Sequence, residues 1–335
     1  MATLVGVVST THSPTCYLPA ERWNEVRASR ALRADVPMDD LEENRRKKAR
    51  VEQGFATLKQ KLMAAAPDVL VVFGDDQLEC FDFTNFPSFA VYVGETFEGA
   101  LSTGERVKLP GHHDLAVGLV GGLMRRGFDP AFCMDMPKPE RGVGHAFLRP
   151  AESLTDFRTP IVPFFVNCYY APQPTGMRCY QLGRAVHEII AEHPGDLRVA
   201  VVGSGGLWHT PRATDAYLDE DFDRAMLRYL TAGDARGAAR HFDEYKVPAG
   251  DRSQDVGTRG RSTTGMPGPG GPQGGTRETC NWIIAAAVVD GKPATLVDYV
   301  PVYASPIGAA FAYWPDVQAA RRSSFAPGFR SRRDR

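Results

Sequence analysis

The sequence is poor in features that would settle a class at once. Its six cysteines, Cys16, Cys80, Cys133, Cys168, Cys179 and Cys280, are scattered with no CxxC pair. That excludes a cysteine-type zinc site and a dense disulfide framework, and it fits reduced thiols in a cytoplasm. None of the eight histidines forms a HExxH pair, so a zinc-protease reading has no support. No apolar run is long enough to span a bilayer, and the N-terminus runs into a strand-like segment without a basic leader. A formal net charge of −1 removes any global electrostatic case for nucleic acid or a membrane surface. With 43% hydrophobic and 24% charged residues in 335, the chain is globular and can bury a normal core.

What is present is a series of short apolar runs that break into small or polar residues. Leu4 to Val8 reads as a first strand, followed by Ser9-Thr10-Thr11-His12-Ser13-Pro14. Val69 to Phe73 reads as a strand buried on both faces, followed by Gly74-Asp75-Asp76-Gln77-Leu78-Glu79. That cluster serves as metal ligands, a helix cap or a turn. Val199 to Val202 breaks into Gly203-Ser204-Gly205-Gly206 and then presents His209. In α/β enzymes the rim at strand ends carries the chemistry. His145 follows a glycine in a loop, and Glu278 opens an apolar helix.

Helices are expected over 39–66, with Val51, Phe55, Leu58 and Leu62 as the apolar stripe, over 110–126, 177–192, 213–231 and 237–245, and after Thr276. The run Arg45-Arg46-Lys47-Lys48 reads as a solvated helix face. Further strands are expected at 86–93, 132–136 and 161–167, with a last one at 297–302. Strands and helices alternate, so the fold class is α/β, one domain over residues 1–318 around a largely parallel sheet flanked by helices. Residues 250–277 read as a flexible glycine-rich loop without a P-loop signature. Residues 319–335 read as a basic, disordered tail.

Taken together and in order, the motifs at 9–14, 71–77, 144–147, 203–209 and 277–282 resemble the class III extradiol ring-cleavage dioxygenases, typified by the beta subunit of protocatechuate 4,5-dioxygenase. The resemblance runs from about residue 4 to about residue 310. It implies a phosphorylase/hydrolase-like core and a non-haem Fe(II) enzyme that opens a catechol-type ring with O2. By position, it makes His12 and Glu278 metal ligands and His209 and His145 acid–base residues. His145 lies between Gly144 and Ala146 where the family usually has Asp-His-Gly. Gln77 stands where the second iron histidine belongs, and an amide is a weaker ligand for ferrous iron than imidazole.

Three arrangements stay open at that position. Gln77 binds the metal weakly; Asp75, Asp76 or Glu79 replaces the ligand; or the pocket holds no iron. A mixed site of His12, Asp76 and Glu278 would hold another divalent ion for hydrolytic or lyase chemistry. A non-catalytic binder of small aromatic ligands is the remaining reading. The family habit implies a homo-oligomer or pairing with a small subunit.

Overall fold

The computed structural model describes residues 1–101, 104–210, 213–249, 251, 266–315 and 317. Most of the expected glycine-rich loop and all of the expected basic tail lie outside the described residues. The first strand is β1 (Thr3–Thr10), followed by short helices α1 (Pro14–Tyr17) and α2 (Trp23–Ala28). Helix α3 (Leu41–Ala65) starts at Asp40, whose carboxylate accepts from Glu43 N. It ends at Ala66, which is left-handed with φ 42°. Strands β2 (Val69–Gly74) and β3 (Phe89–Tyr92) follow, then β4 (Thr96–Ala100) and β5 (Arg106–Pro110). After them come α4 (His113–Met124), β6 (Ala131–Cys133), α5 (His145–Thr155), β7 (Ile161–Val166) and α6 (Gly176–Glu192). The remainder is β8 (Arg198–Ser204), α7 (Glu220–Thr231), α8 (Ala235–Glu244), α9 (Thr279–Val288), β9 (Thr295–Val302) and β10 (Ile307–Tyr313).

Eight strands form one sheet in the order β6-β3-β7-β2-β8-β1-β10-β9, and β4 and β5 form a separate hairpin. The four central strands, β7, β2, β8 and β1, are parallel to one another. The runs that read as buried on both faces are so because side chains alternate across the pleat. Val69, Val71 and Phe73 enter the apolar layer that contains Leu182, Val186 and Ile283 of α6 and α9. Leu70 and Val72 enter the layer on the other face, with Val51, Leu58 and Phe147 of α3 and α5. The result is a single α/β domain with helices on both faces of a mostly parallel sheet. No helix among the described residues is long and apolar enough to cross a membrane.

Several elements differ from expectation. His145 does not sit in a loop but opens α5, whose internal Pro150 masked the helical pattern. Residues 213–219 are irregular, and the helix expected there begins only at Glu220, capped by Asp219. The strand over 297–302 is not the last. It pairs with β10, which lies inside the sheet against β1. Within the basic run, Arg45 and Arg46 are exposed, but Lys47 is buried against Asp39 and the Tyr303 ring.

Candidate functional site

Register brings the site together. Along the parallel ladders Ser9 pairs with Gly203 and Thr10 with Ser204, while Phe73 also pairs with Gly203. The C-terminal ends of β1, β2 and β8 therefore finish at one level, and the residues just beyond them meet. These are His12, Asp75 and the segment Gly205–His209. Glu278 arrives from a 3₁₀ turn (Gly274–Glu278) that leads into α9.

The glycines after β8 allow that arrival. Gly205 has φ 150°, and a Cβ there would lie 2.7 Å from Glu278 Cβ. Gly206 N donates to Glu278 Oε2 at 2.9 Å. Asn281 and Trp282, one turn into α9, donate to the carbonyls of Ser204 and Gly205. The backbone of the β8 exit and the start of α9 thus clasp each other around the carboxylate.

His12, Asp75 and Glu278 form the centre. They are buried, and one donor atom from each lies within 4.8 Å of the others. The Ser204 hydroxyl donates its only proton to Ala146 O at 2.6 Å. Its oxygen then accepts from His12 Nδ1 at 2.9 Å, so Nε2 is the nitrogen that faces the acids. Nε2 lies 3.3 Å from Glu278 Oε2 and 3.5 Å from Asp75 Oδ1, longer than a charge-assisted hydrogen bond. Among the described residues, Nε2 and both Asp75 oxygens have no hydrogen-bond partner. Burial, then the neighbouring charge of Glu278, holds the Asp75 carboxyl well above the usual range. Burial opposes ionisation of Glu278 too, but His12 and His209 and the bond from Tyr169 hold it below the usual range. Two buried acids and an imidazole with orphaned donor atoms suit a divalent cation, which lets both carboxylates ionise. The protein thus has a possible buried His–Asp–Glu metal site.

Gln77 is not part of this trio. Tyr169 Oη donates to Glu278 Oε1 at 2.7 Å and accepts from Gln77 Nε2 at 3.0 Å. Because a carboxylate only accepts, the tyrosine proton belongs to Glu278, and Gln77 must turn its amide N–H₂ toward the phenol. Asp76 is turned away as well, accepting from Cys80 N and Phe81 N and closing the loop after β2. Glu79 accepts from His145 Nδ1 at 2.7 Å.

Both remaining histidines flank the trio. The His145 ring packs edge-on against His12 at 4.9 Å. Burial alone would lower its pKa, but Glu79 beside it raises it to about 9. His209 is buried, with its backbone N–H on Thr276 Oγ1 and its Nδ1 without a partner among the described residues. Burial lowers its pKa to about 4, against a smaller pull from Glu278. A Cβ on Gly275 would lie 2.5 Å from His209 Cδ2 and 2.9 Å from Tyr169 Oη, so both side chains close over a bare backbone. His209 is further fixed from behind, because buried Asp223 accepts from Trp208 N at 2.6 Å and from Tyr299 Oη at 2.8 Å.

Of the five site residues expected from sequence, His12, Glu278, His145 and His209 converge, and Gln77 reaches Glu278 only through Tyr169. Sequence reasoning offered Asp75 as one of three substitutes for the missing histidine. It did not find Tyr169 or Asp223, which carry no motif, and it read Ser204 only as part of the glycine-rich break after Val202.

A profile of the family described as the catalytic LigB subunit of aromatic ring-opening dioxygenase matches residues 36–253. The chain belongs to this family. His12 and Glu278 lie outside the matched span, and Asp75, Gln77, His145 and His209 lie within it. Among curated proteins, the chain is similar to a 2,3-dihydroxyphenylpropionate/2,3-dihydroxicinnamic acid 1,2-dioxygenase of Photorhabdus laumondii. Identity is 32% over 164 residues, covering 48% of this chain and 49% of that one. The protein of the same name from Escherichia coli strain 55989 is 30% identical over 161 residues, covering 47% and 48%. The chain therefore spans about half the length of the curated relatives it matches. A solved structure of an uncharacterized protein from Escherichia coli K12 is similar at a TM-score of 0.43 and 14% identity, covering 77% of this chain and 91% of that one.

Proposed function

We propose that the chain is a non-haem Fe(II) extradiol dioxygenase that opens the ring of a catechol-type aromatic with O2. The observation that carries this reading is the buried trio of His12, Asp75 and Glu278, with orphaned donor atoms and two histidines of opposite proton affinity beside it. Family membership and the names of the relatives support it. His12 Nε2, Asp75 and Glu278 would hold the metal. When bound, ferrous iron supplies Lewis acidity and an electron route between a catecholate and O2.

The chain's own groups do the rest. His209 carries no proton to spare at neutral pH, so its free Nδ1 takes a hydroxyl proton from the substrate. His145 holds a proton at neutral pH and returns one to the opened product. Tyr169 fixes Glu278 through Oε1 and leaves Oε2 facing His12. Burial of the trio keeps bulk water from the reacting groups.

The donor set favours a second reading. One imidazole and two carboxylates are harder than two imidazoles and one carboxylate, and suit ions such as manganese or magnesium in hydrolytic or lyase chemistry. The experiment is anaerobic purification, metal analysis, Fe(II) titration, and oxygen uptake with a panel of catechols. Tight iron and oxygen uptake with a yellow ring-opened product support the dioxygenase. Stoichiometric manganese, magnesium or zinc without oxygen uptake would overturn it in favour of the second reading.

A further inference from the structure

His145 has no side-chain cap of its own at the start of α5, because Gly144 stands at the cap position. The cap comes from elsewhere. Glu79 Oε2 accepts from both His145 N at 3.3 Å and His145 Nδ1 at 2.7 Å. One carboxylate oxygen thus holds the backbone and the ring of the same residue, which fixes the imidazole about its own axis. The loop that delivers Glu79 is itself locked, since Asp76 accepts from Cys80 N and Phe81 N on its far side. Gly144 completes the arrangement. A Cβ there would lie 2.8 Å from Glu79 Oε2, so a side chain at 144 and the Glu79 carboxylate compete for one space. The backbone at Gly144 has φ −65°, a value any residue adopts, so room is the reason for glycine and not conformation.

We propose that Glu79 is the positioning residue of His145: it binds Nδ1–H, which turns Nε2 to the substrate, and Gly144 is glycine to admit it. The turnover arm of the test rests on the dioxygenase reading above; the spectroscopic arm does not.

The test uses the full chain, metal-free and labelled with ¹⁵N-histidine, at a pH where the ring is neutral. Protonated and bare ring nitrogens differ widely in ¹⁵N shift, and the His145 signals are assigned by their loss in His145→Gln. The native ring is expected in the Nδ1–H form. Glu79→Leu is expected to switch it to the Nε2–H form and to lower kcat by about 10- to 100-fold, the usual cost of removing a group that orients a site histidine. KM should hold within about twofold, because no substrate contact is removed. Glu79→Gln keeps an acceptor oxygen, so it is expected to retain the Nδ1–H form and most of kcat. Gly144→Ala leaves Glu79 and His145 in place and is expected to move both readouts toward those of Glu79→Leu.

A native Nε2–H ring would overturn the proposal, as would an unchanged ring in folded Glu79→Leu or equal losses in the Leu and Gln variants. If no catechol is turned over, the dioxygenase reading fails while the ring spectra still decide the role of Glu79.

Discussion

His145 and His209 flank the same three buried groups and have opposite proton affinities. His145 leans on Glu79, and its pKa rises to about 9 although burial opposes it. Among the described residues His209 has no carboxylate in hydrogen-bond contact, and burial takes its pKa down to about 4. The difference lies in the loop that leaves each strand. The exit of β2 returns an acid to His145, whereas the exit of β8 is glycine-rich and brings His209 against the bare backbone of Gly275. Proton roles in such a site come from the immediate neighbour of each imidazole and not from residue type.

The largest expected effect comes from removing the charge that both histidines face. Glu278→Ala should weaken divalent-metal binding by at least about 100-fold in a calorimetric titration and abolish oxygen uptake with it. Next, His209→Asn should keep its metal and lose about 10³-fold in turnover, as expected for a general base, and His145→Asn should lose about 10²-fold. A reversed order of these two losses would break the comparison.

A smaller effect is readable in the metal-free protein by ring titration, with His145 titrating near 9 and His209 near 4. Stability should respond to pH accordingly. The folded protein binds the extra proton on His145 between the free-histidine value of about 6.5 and about 9, so that stabilisation is lost as pH rises through this window. The unfolded chain binds the extra proton at His209 between about 4 and about 6.5, so stability falls as pH drops through that one. Melting curves of His145→Gln should therefore flatten on the alkaline side and those of His209→Gln on the acid side.

The effect most remote from the comparison concerns Asp223, behind His209. Burial raises its pKa to about 8, so the fold holds a proton there that the unfolded chain releases near 3.8, and stability falls as pH rises between the two. Asp223→Asn should show a shallower loss of melting temperature between pH 5 and pH 8 than the native protein.

The central sheet was legible because β-branched runs such as Val69–Phe73 and Val199–Val202 have few other places to go. Strand β10 was not. Its Ile-Gly-Ala-Ala-Phe-Ala-Tyr composition has weak strand preference, and it is held by pairing on both sides with β1 and β9. The hairpin of β4 and β5 went unread although Gly104 marks its turn with φ 86°.

At the site, the histidines at strand ends could be seen because their position depends on the strand alone. Gln77 could not be placed from sequence, because the direction of a loop side chain is decided by its partner. Here that partner is Tyr169, which lies beyond β7 in an ordinary Cys-Tyr-Tyr run. The same reasoning separates Asp75 from Asp76: adjacent residues in an extended loop point to opposite sides, one to His12 and one to the backbone of Cys80.

Strand β1 lies between β8 and β10, and so His12 leaves a strand whose two neighbours come from residues 198–204 and 307–313. During synthesis the first of the three clustered side chains to leave the ribosome is thus the one whose flanking strand arrives late. Until Glu278 and β10 have emerged, His12 lacks the nearer of its two acidic neighbours and one of the two strands that flank β1. The cluster of His12, Asp75 and Glu278 is in this way assembled late, once the segments that carry Glu278 and β10 have joined β1.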